Sequence, residues 1–171
     1  ARSLLKWNYK VHGIDVSPTM ISLAQKYNSD LPNHKFKTCD GKSIPFPNSY
    51  FDLVYSVLVF QHLPLSVMRA YISEIRRVLK TRGKFWVQVP RTPPFKLRRW
   101  HFPLVLLAPT LHSSFSESRR KMISLTRYYS VKKIRFELEN AGLKPIKLRR
   151  MMPTFGNLWL CITAERTSPR D

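Results

Sequence analysis

The chain has 171 residues, 43% of them hydrophobic, which suits one globular domain with a real core. No run of 18 apolar residues occurs, so no helix is long and apolar enough to cross a membrane. Five histidines without paired Cys or His spacing carry no metal signature, and no metal is expected. The formal net charge is +20: residues 1–83 hold 12 basic and 5 acidic side chains (+7), and residues 84–171 hold 18 and 5 (+13). Such a surplus draws an anionic partner, nucleic acid or an acidic membrane surface, or is simply a solvated basic face.

Residues 1–10 read as the tail of a helix. Val11–Val16 is a short strand ending in an acid, Asp15. Ser17 then serves as N-cap and Pro18 as the first helical residue. Met20, Leu23, Ala24 and Tyr27 follow at helical spacing and predict that helix's buried face. A turn cluster, residues 28–33, leads to a second strand, Phe36–Cys39. Asp40-Gly41 and the proline-rich Ile44-Pro45-Phe46-Pro47 form a loop. Phe51-Asp52 opens a third strand, which runs to Phe60 and stops at Gln61-His62.

Pro64 begins the helix with the clearest periodicity: Met68, Tyr71, Ile72, Ile75, Val78 and Leu79. Gly83 is expected to end it in a left-handed conformation, and Lys84–Val89 to form the next strand, stopped by Pro90. Residues 91–127 break the alternation. Arg91, Lys96, Arg98 and Arg99 cluster beside Trp100, a short apolar run follows, and Arg119, Arg120 and Lys121 restore the charge. This stretch is expected to be an insert, lying over a cleft as a cap or touching a membrane interface. Ser130 caps a further helix with the face Val131, Ile134, Leu138 and Ala141, closed by Gly142. Leu143–Leu148 and Leu158–Thr163 then pair as an antiparallel hairpin. Cys39 and Cys161 sit in apolar runs and read as buried thiols of a reducing, cytoplasmic setting.

Strand–helix–strand alternation with short connections predicts parallel βαβ units, which bind ligands at the C-terminal strand ends. Asp15, Asp40 and Ser56 all fall near such ends.

These pieces together resemble the class I S-adenosylmethionine-dependent methyltransferases, in particular their small-molecule methyltransferase domains. The matching residues are Val11–Ser17, Asp40-Gly41 with Ile44-Pro45-Phe46, Phe51–Val54 through Gln61-His62-Leu63, and Arg77–Lys80 with Gly83. Tyr129-Ser130 and Ala141–Leu143 add a weaker match. The resemblance implies an α/β, Rossmann-like, mostly parallel sheet with an antiparallel C-terminal hairpin. It implies S-adenosylmethionine as cofactor and a small-molecule or lipid-like methyl acceptor.

By resemblance Asp15 holds the cofactor ribose and Val16 packs on the adenine. Asp40 accepts from the adenine amino group beside the Gly41 backbone, and Ser56 and Val57 line the methionine part. As structure alone, Asp15 is an acid favoured at a helix N-terminus, and Asp40-Gly41 is a common turn pair. Gln61 and His62 could meet the substrate. His62 is the one candidate base, needed only if the acceptor must lose a proton; its plainer reading is a histidine at a helix entry bonded to backbone. Trp100, Tyr128 and Tyr129 are pocket aromatics or core.

The family's first strand and glycine-rich loop, which precede the Asp15 strand and lie at the centre of its sheet, have no counterpart here. Only ten residues precede Val11, none of them glycine, and the chain does not begin with Met. Residues 1–171 are therefore expected to be a single, N-terminally truncated methyltransferase domain with an insert at 91–127, two half-sheets with unpaired edges, and weak binding of S-adenosylmethionine. Two other readings remain open. One is a nucleic-acid methyltransferase, drawn from the charge, although Ser56–Val59 is no base-flipping motif. The other is a non-catalytic, methyltransferase-like binding protein.

Overall fold

The computed structural model describes residues 1–90, 129–151 and 159–168. The expected insert at 91–127, Trp100, Tyr128 and the connection holding Pro153 and Gly156 lie outside the described residues.

Two parallel units form the N-terminal half. Helix α1 (Arg2–Lys6) leads into strand β1 (Val11–Asp15), then helix α2 (Pro18–Tyr27) and strand β2 (His34–Thr38). β1 and β2 pair in parallel, from Val11 opposite His34 to Asp15 opposite Thr38. Ser17 caps α2 as expected, its side chain accepting from the Met20 amide, with Pro18 at the helix start. The second unit is strand β3 (Phe51–Val57), a 3-10 turn (Phe60–His62), helix α3 (Leu65–Val78) and strand β4 (Leu79–Pro90). β3 and β4 are also parallel. Helix α4 (Val131–Asn140) and strands β5 (Leu143–Met151) and β6 (Trp159–Arg166) complete the described chain. β5 and β6 pair antiparallel, and β6 inserts between β4 and β5.

The result is a two-stranded sheet, β1-β2, and a four-stranded sheet, β3-β4-β6-β5. Among the described residues no ladder joins β1 to β3. The break falls where the resemblance puts its missing central strand, and both facing edges leave their backbone groups without strand partners. Leu53, Tyr55 and Val57, alternate residues on one face of β3, are 40–49% exposed.

The core follows from the helix periodicities. Met68, Ile72, Ile75 and Val78 of α3 are buried, as are Ile134 and Leu138 of α4. They meet Phe85, Val87 and Val89 of β4 and Leu160, Ile162 and Ala164 of β6, the alternate residues of one sheet face. Each of these side chains except the Ala164 methyl contributes about 1.5–3 kcal/mol by leaving water. Gly142, at φ +73°, closes α4 as the spacing predicts.

Three expectations are corrected. α2 buries Ile21, Ala24 in part and Asn28 instead of Met20, Leu23 and Tyr27, which are 53%, 52% and 75% exposed. A two-stranded sheet is narrow, so the helix resting on it hides one thin stripe. α3 ends at Val78, and its C-cap Leu79 is already extended. The left-handed residue near that boundary is Arg82, at φ 62°, not Gly83. Gly83 is needed for space: a Cβ there would stand 2.8 Å from the Lys80 carbonyl oxygen and 3.1 Å from that of Phe51. Finally, β3 ends at Val57, three residues earlier than the apolar run suggests. Leu58 turns left-handed, at φ 61°, and Phe60 enters the 3-10 turn.

The two units are sewn together through the loop between β2 and β3. Arg77 of α3 donates to the carbonyls of Ile44 (2.8 Å) and Phe46 (2.9 Å) and to Asn48 Oδ1 (2.8 Å). It also forks Glu74 (2.7 and 2.8 Å), and Glu74 accepts in turn from the Ile44 amide. The Glu74 carboxyl is held below its usual range mainly by the Arg77 bond. The loop returns at Ser49 and Tyr50, whose amides reach the carbonyls of Arg77 and Val78. His12 of β1 packs edge-on against Phe46, Tyr50 and Phe51, and burial pushes its pKa down.

Replacing Arg77 by Ala strands Glu74 and two loop carbonyls, and should cost about 2–3 kcal/mol in urea unfolding. Arg77→Lys should recover little of it, because an ammonium cannot make the fork. A second prediction concerns acid. Glu137 of α4 is buried and bonded by Arg69 and Lys133, which hold its carboxyl at about 2 against an ordinary 4.5. A depressed carboxyl stabilises above its unfolded value and ceases to do so as pH falls through the folded one. Glu137→Gln should therefore cost about 2 kcal/mol at pH 7, the exposure of Arg69 reducing the full linkage value. The difference from the parent chain should shrink below pH 4.5 and vanish near pH 2, read by denaturant titrations across that range.

Candidate functional site

The C-terminal ends of β1 and β2 form one continuous wall. The Cys39 amide donates to the Asp15 carbonyl at 2.9 Å, which extends the β1-β2 pairing by one step. The following residues diverge into two loops that touch: a Cβ at Gly41 would come within 3.1 Å of Val16 Cγ1, and Gly41 holds φ +74°. A side chain there would be strained and would push Val16 aside. Val16 is 61% exposed, an apolar surface at the strand end next to Asp15.

Each carboxylate of this wall is half used. Asp15 Oδ1 accepts from the Ser17 amide at 2.8 Å, which fixes the side chain at the start of α2. Asp40 Oδ1 accepts from the amides of Lys42 (2.9 Å) and Ser43 (2.8 Å) and from the Ser43 hydroxyl (3.1 Å). The Ser43 and Lys42 amides hold the Asp40 carboxyl below its usual range. No hydrogen bond within the described residues uses Oδ2 of either acid. Two preoriented acceptor oxygens are thus available at adjacent strand ends. Vicinal hydroxyls and an exocyclic amine are donors that suit such oxygens, so Asp15, Val16, Asp40 and Gly41 fit a nucleoside.

Tyr71 of α3, beneath this wall, was not singled out by its sequence position beyond its place on the helix face. Its phenol is pushed up to about 12, by burial first, then by Cys39 and the negative charges of Asp40 and Asp15. It stays a neutral donor and places no further anion beside the two acids.

The remaining candidate residues belong to the second sheet. Ser56 is half-buried and Val57 is 40% exposed at the end of β3. As consecutive strand residues they point to opposite faces of the sheet, and among the described residues no hydrogen bond joins them to the Asp15–Gly41 wall. Leu58 and Val59 follow, 46% and 50% exposed. Left-handed Leu58 stores about 1–2 kcal/mol of strain in the turn. The 3-10 turn then brings Gln61 and His62 together: Gln61 Nε2 and His62 Nε2 are 3.0 Å apart. Gln61 is buried and His62 exposed. The Leu63 carbonyl, next in the chain, accepts from the Tyr129 hydroxyl at 2.8 Å, so Tyr129 braces this turn. No sequence signal marks that bond, since it spans 66 residues. Among the described residues no group of His, Cys, Asp and Glu could hold a metal ion.

A profile of the methyltransferase domain family matches residues 1–87, the stretch that carries α1 through most of β4. The demethylmenaquinone methyltransferase of Tropheryma whipplei is 26% identical over 155 residues, covering 88% of this chain and 64% of that protein. The 2-methyl-6-phytyl-1,4-hydroquinone methyltransferase of Synechocystis is 30% identical over 77 residues, 45% of this chain and 24% of that protein. The chain thus spans less than two thirds of the length of these relatives. Among solved structures, a S-adenosylmethionine-dependent methyltransferase of Methanosarcina mazei superposes with a TM-score of 0.72 at 17% identity, over 97% of this chain and 86% of that one. The [4+2]-cyclase SpnF superposes at 0.73 with 16% identity, over 97% and 70%. These structures share the Rossmann-like methyltransferase fold with this chain.

Leu58→Gly should relieve the left-handed strain and raise stability by about 1 kcal/mol in urea unfolding, an unusual direction for removing a large apolar side chain. Equal or lower stability would show that the turn is unstrained.

Proposed function

The chain belongs to the family of methyltransferase domains, and from that premise we propose that it takes part in S-adenosylmethionine-dependent methyl transfer to a small, lipid-like acceptor of the hydroquinone type. The observation that carries this reading is the pair of half-used carboxylates, Asp15 and Asp40, at touching strand ends. Asp15 Oδ2 would accept from the ribose hydroxyls and Asp40 Oδ2 from the adenine amine, with Val16 and Gly41 against the ring. Ser56 and Val57 would run along the methionine part. When bound, the cofactor supplies an activated methyl group; the protein's task is to hold an acceptor atom in line with it.

The acceptor class is supported by the relatives named for demethylmenaquinone and 2-methyl-6-phytyl-1,4-hydroquinone. Such molecules are apolar and membrane-borne in character, and a net charge of +20 favours an acidic membrane surface. On that ground we propose that the protein acts at such a surface. A nucleic-acid acceptor has no comparable support: the charge alone suggests it, and no relative described above is named for one.

The test is a titration of the chain with S-adenosylhomocysteine, followed by amide NMR, which detects weak binding as well as strong. The amides of Val16, Ser17, Gly41 and Lys42 should move. Asp15→Asn and Asp40→Asn should each weaken the interaction about tenfold, as expected for a hydrogen bond to a charged acceptor. Their melting temperatures should stay close to the parent's. Shifts absent from these amides, or present elsewhere only, would sink the assignment.

A further inference from the structure

Gln61 is 92% buried, and it has one side-chain end too many. Its relative exposure is 8%. Nε2 lies 3.0 Å from His62 Nε2, while Oε1 is buried without a hydrogen-bond partner. Turning the amide over does not remove the problem. It would place the oxygen against the ring and leave an NH2 group, two donors, in the position now held by Oε1. Buried carbonyls without partners are tolerated more readily than buried N–H groups without them. The orientation with NH2 toward the ring is therefore the one that costs less.

That choice has a consequence for His62. An amide NH2 donates and cannot accept, so the ring nitrogen it meets must accept. His62 Nε2 then carries the lone pair, and the proton of the neutral ring sits on Nδ1. The turn holds the pair in register: the His62 amide donates to the Val59 carbonyl at 2.9 Å, and Tyr129 pins the Leu63 carbonyl.

We propose that Gln61 is a positioning residue that locks His62 in the Nδ1–H tautomer, making the neutral ring a hydrogen-bond donor and not a base toward a molecule bound at the β3 end. With Nε2 engaged by Gln61, the nitrogen left for a ligand is Nδ1, and in the neutral ring Nδ1 has a proton to share and no lone pair to receive one. The side chain that the sequence offers as a base would then bond an oxygen of the acceptor, such as a carbonyl or a phenolate. It would favour molecules that already bear such an oxygen over those that must be deprotonated by the protein. The role toward an acceptor rests on the methyl-transfer reading; the tautomer does not.

Long-range proton–nitrogen NMR on the whole chain reads the tautomer directly, without any ligand. Histidine free in water prefers the opposite form, with the proton on Nε2. The expected result at pH 8 is a His62 pattern dominated by Nδ1–H. In Gln61→Glu the neighbour is a carboxylate, which can only accept, so the pattern should switch to Nε2–H. In Gln61→Leu it should relax toward the solvent preference. A parent chain with Nε2–H dominant, or a pattern unchanged by either substitution, would overturn the proposal. The S-adenosylhomocysteine titration tests other residues, so the two results can fail separately.

Discussion

All five N–H donors of the Arg77 guanidinium are engaged, two on Glu74 and three on the loop that joins the two sheets. This one side chain, at the end of α3, turns residues 44–48 from a free crossover into part of the core's edge. Ile44 becomes buried against the same cluster as Met68 and Ile72. Phe46, held by its carbonyl, stacks on Tyr50 and meets His12 of β1. Among the described residues no ladder joins β1 to β3, and these loop contacts help tie the half-sheets together. The guanidinium makes it possible because its planar fork can bond a carboxylate and several carbonyls at once, each partner being fixed before the bond forms.

The candidate site inherits its shape from that arrangement. The Asp15–Gly41 wall is held by the pairing of β1 with β2 and by two loops that touch. The Ser56–Val57 side is carried by β3, which pairs with β4 along one edge. Backbone amides orient the Asp15 and Asp40 carboxylates, whereas among the described residues no strand pairs with the outer edge of β3.

The turn after β3 shows a different economy. A left-handed leucine, a buried glutamine with an orphaned oxygen, and an exposed histidine occupy five consecutive residues, Leu58 to His62. Strain and unsatisfied polarity persist where surrounding structure over-determines them, and they concentrate at functional positions. Tyr129, 66 residues away, bonds the Leu63 carbonyl just beyond this stretch.

Much of the architecture was legible in the residues alone. The α3 and α4 faces, the Ser17 and Ser130 caps, Gly142 and the C-terminal hairpin all follow from local rules, because helix periodicity, capping and turn chemistry act over a few residues. The wall residues Asp15, Val16, Asp40 and Gly41 were legible from their strand-end positions and from a family resemblance. The burial of α2 was not, because it depends on how wide a sheet lies beneath the helix. Nor was the role of Arg77, one basic residue among thirty, whose five bonds exist only once the loop has folded back onto α3. The pairing of Gln61 with His62 lies between the two cases. Their adjacency is sequence, but the burial that leaves one amide end without a partner is tertiary. What the sequence determined by itself is therefore the set of elements and the chemical types at their ends. The tertiary structure decided which of those groups are already satisfied, and so which remain free to act on another molecule.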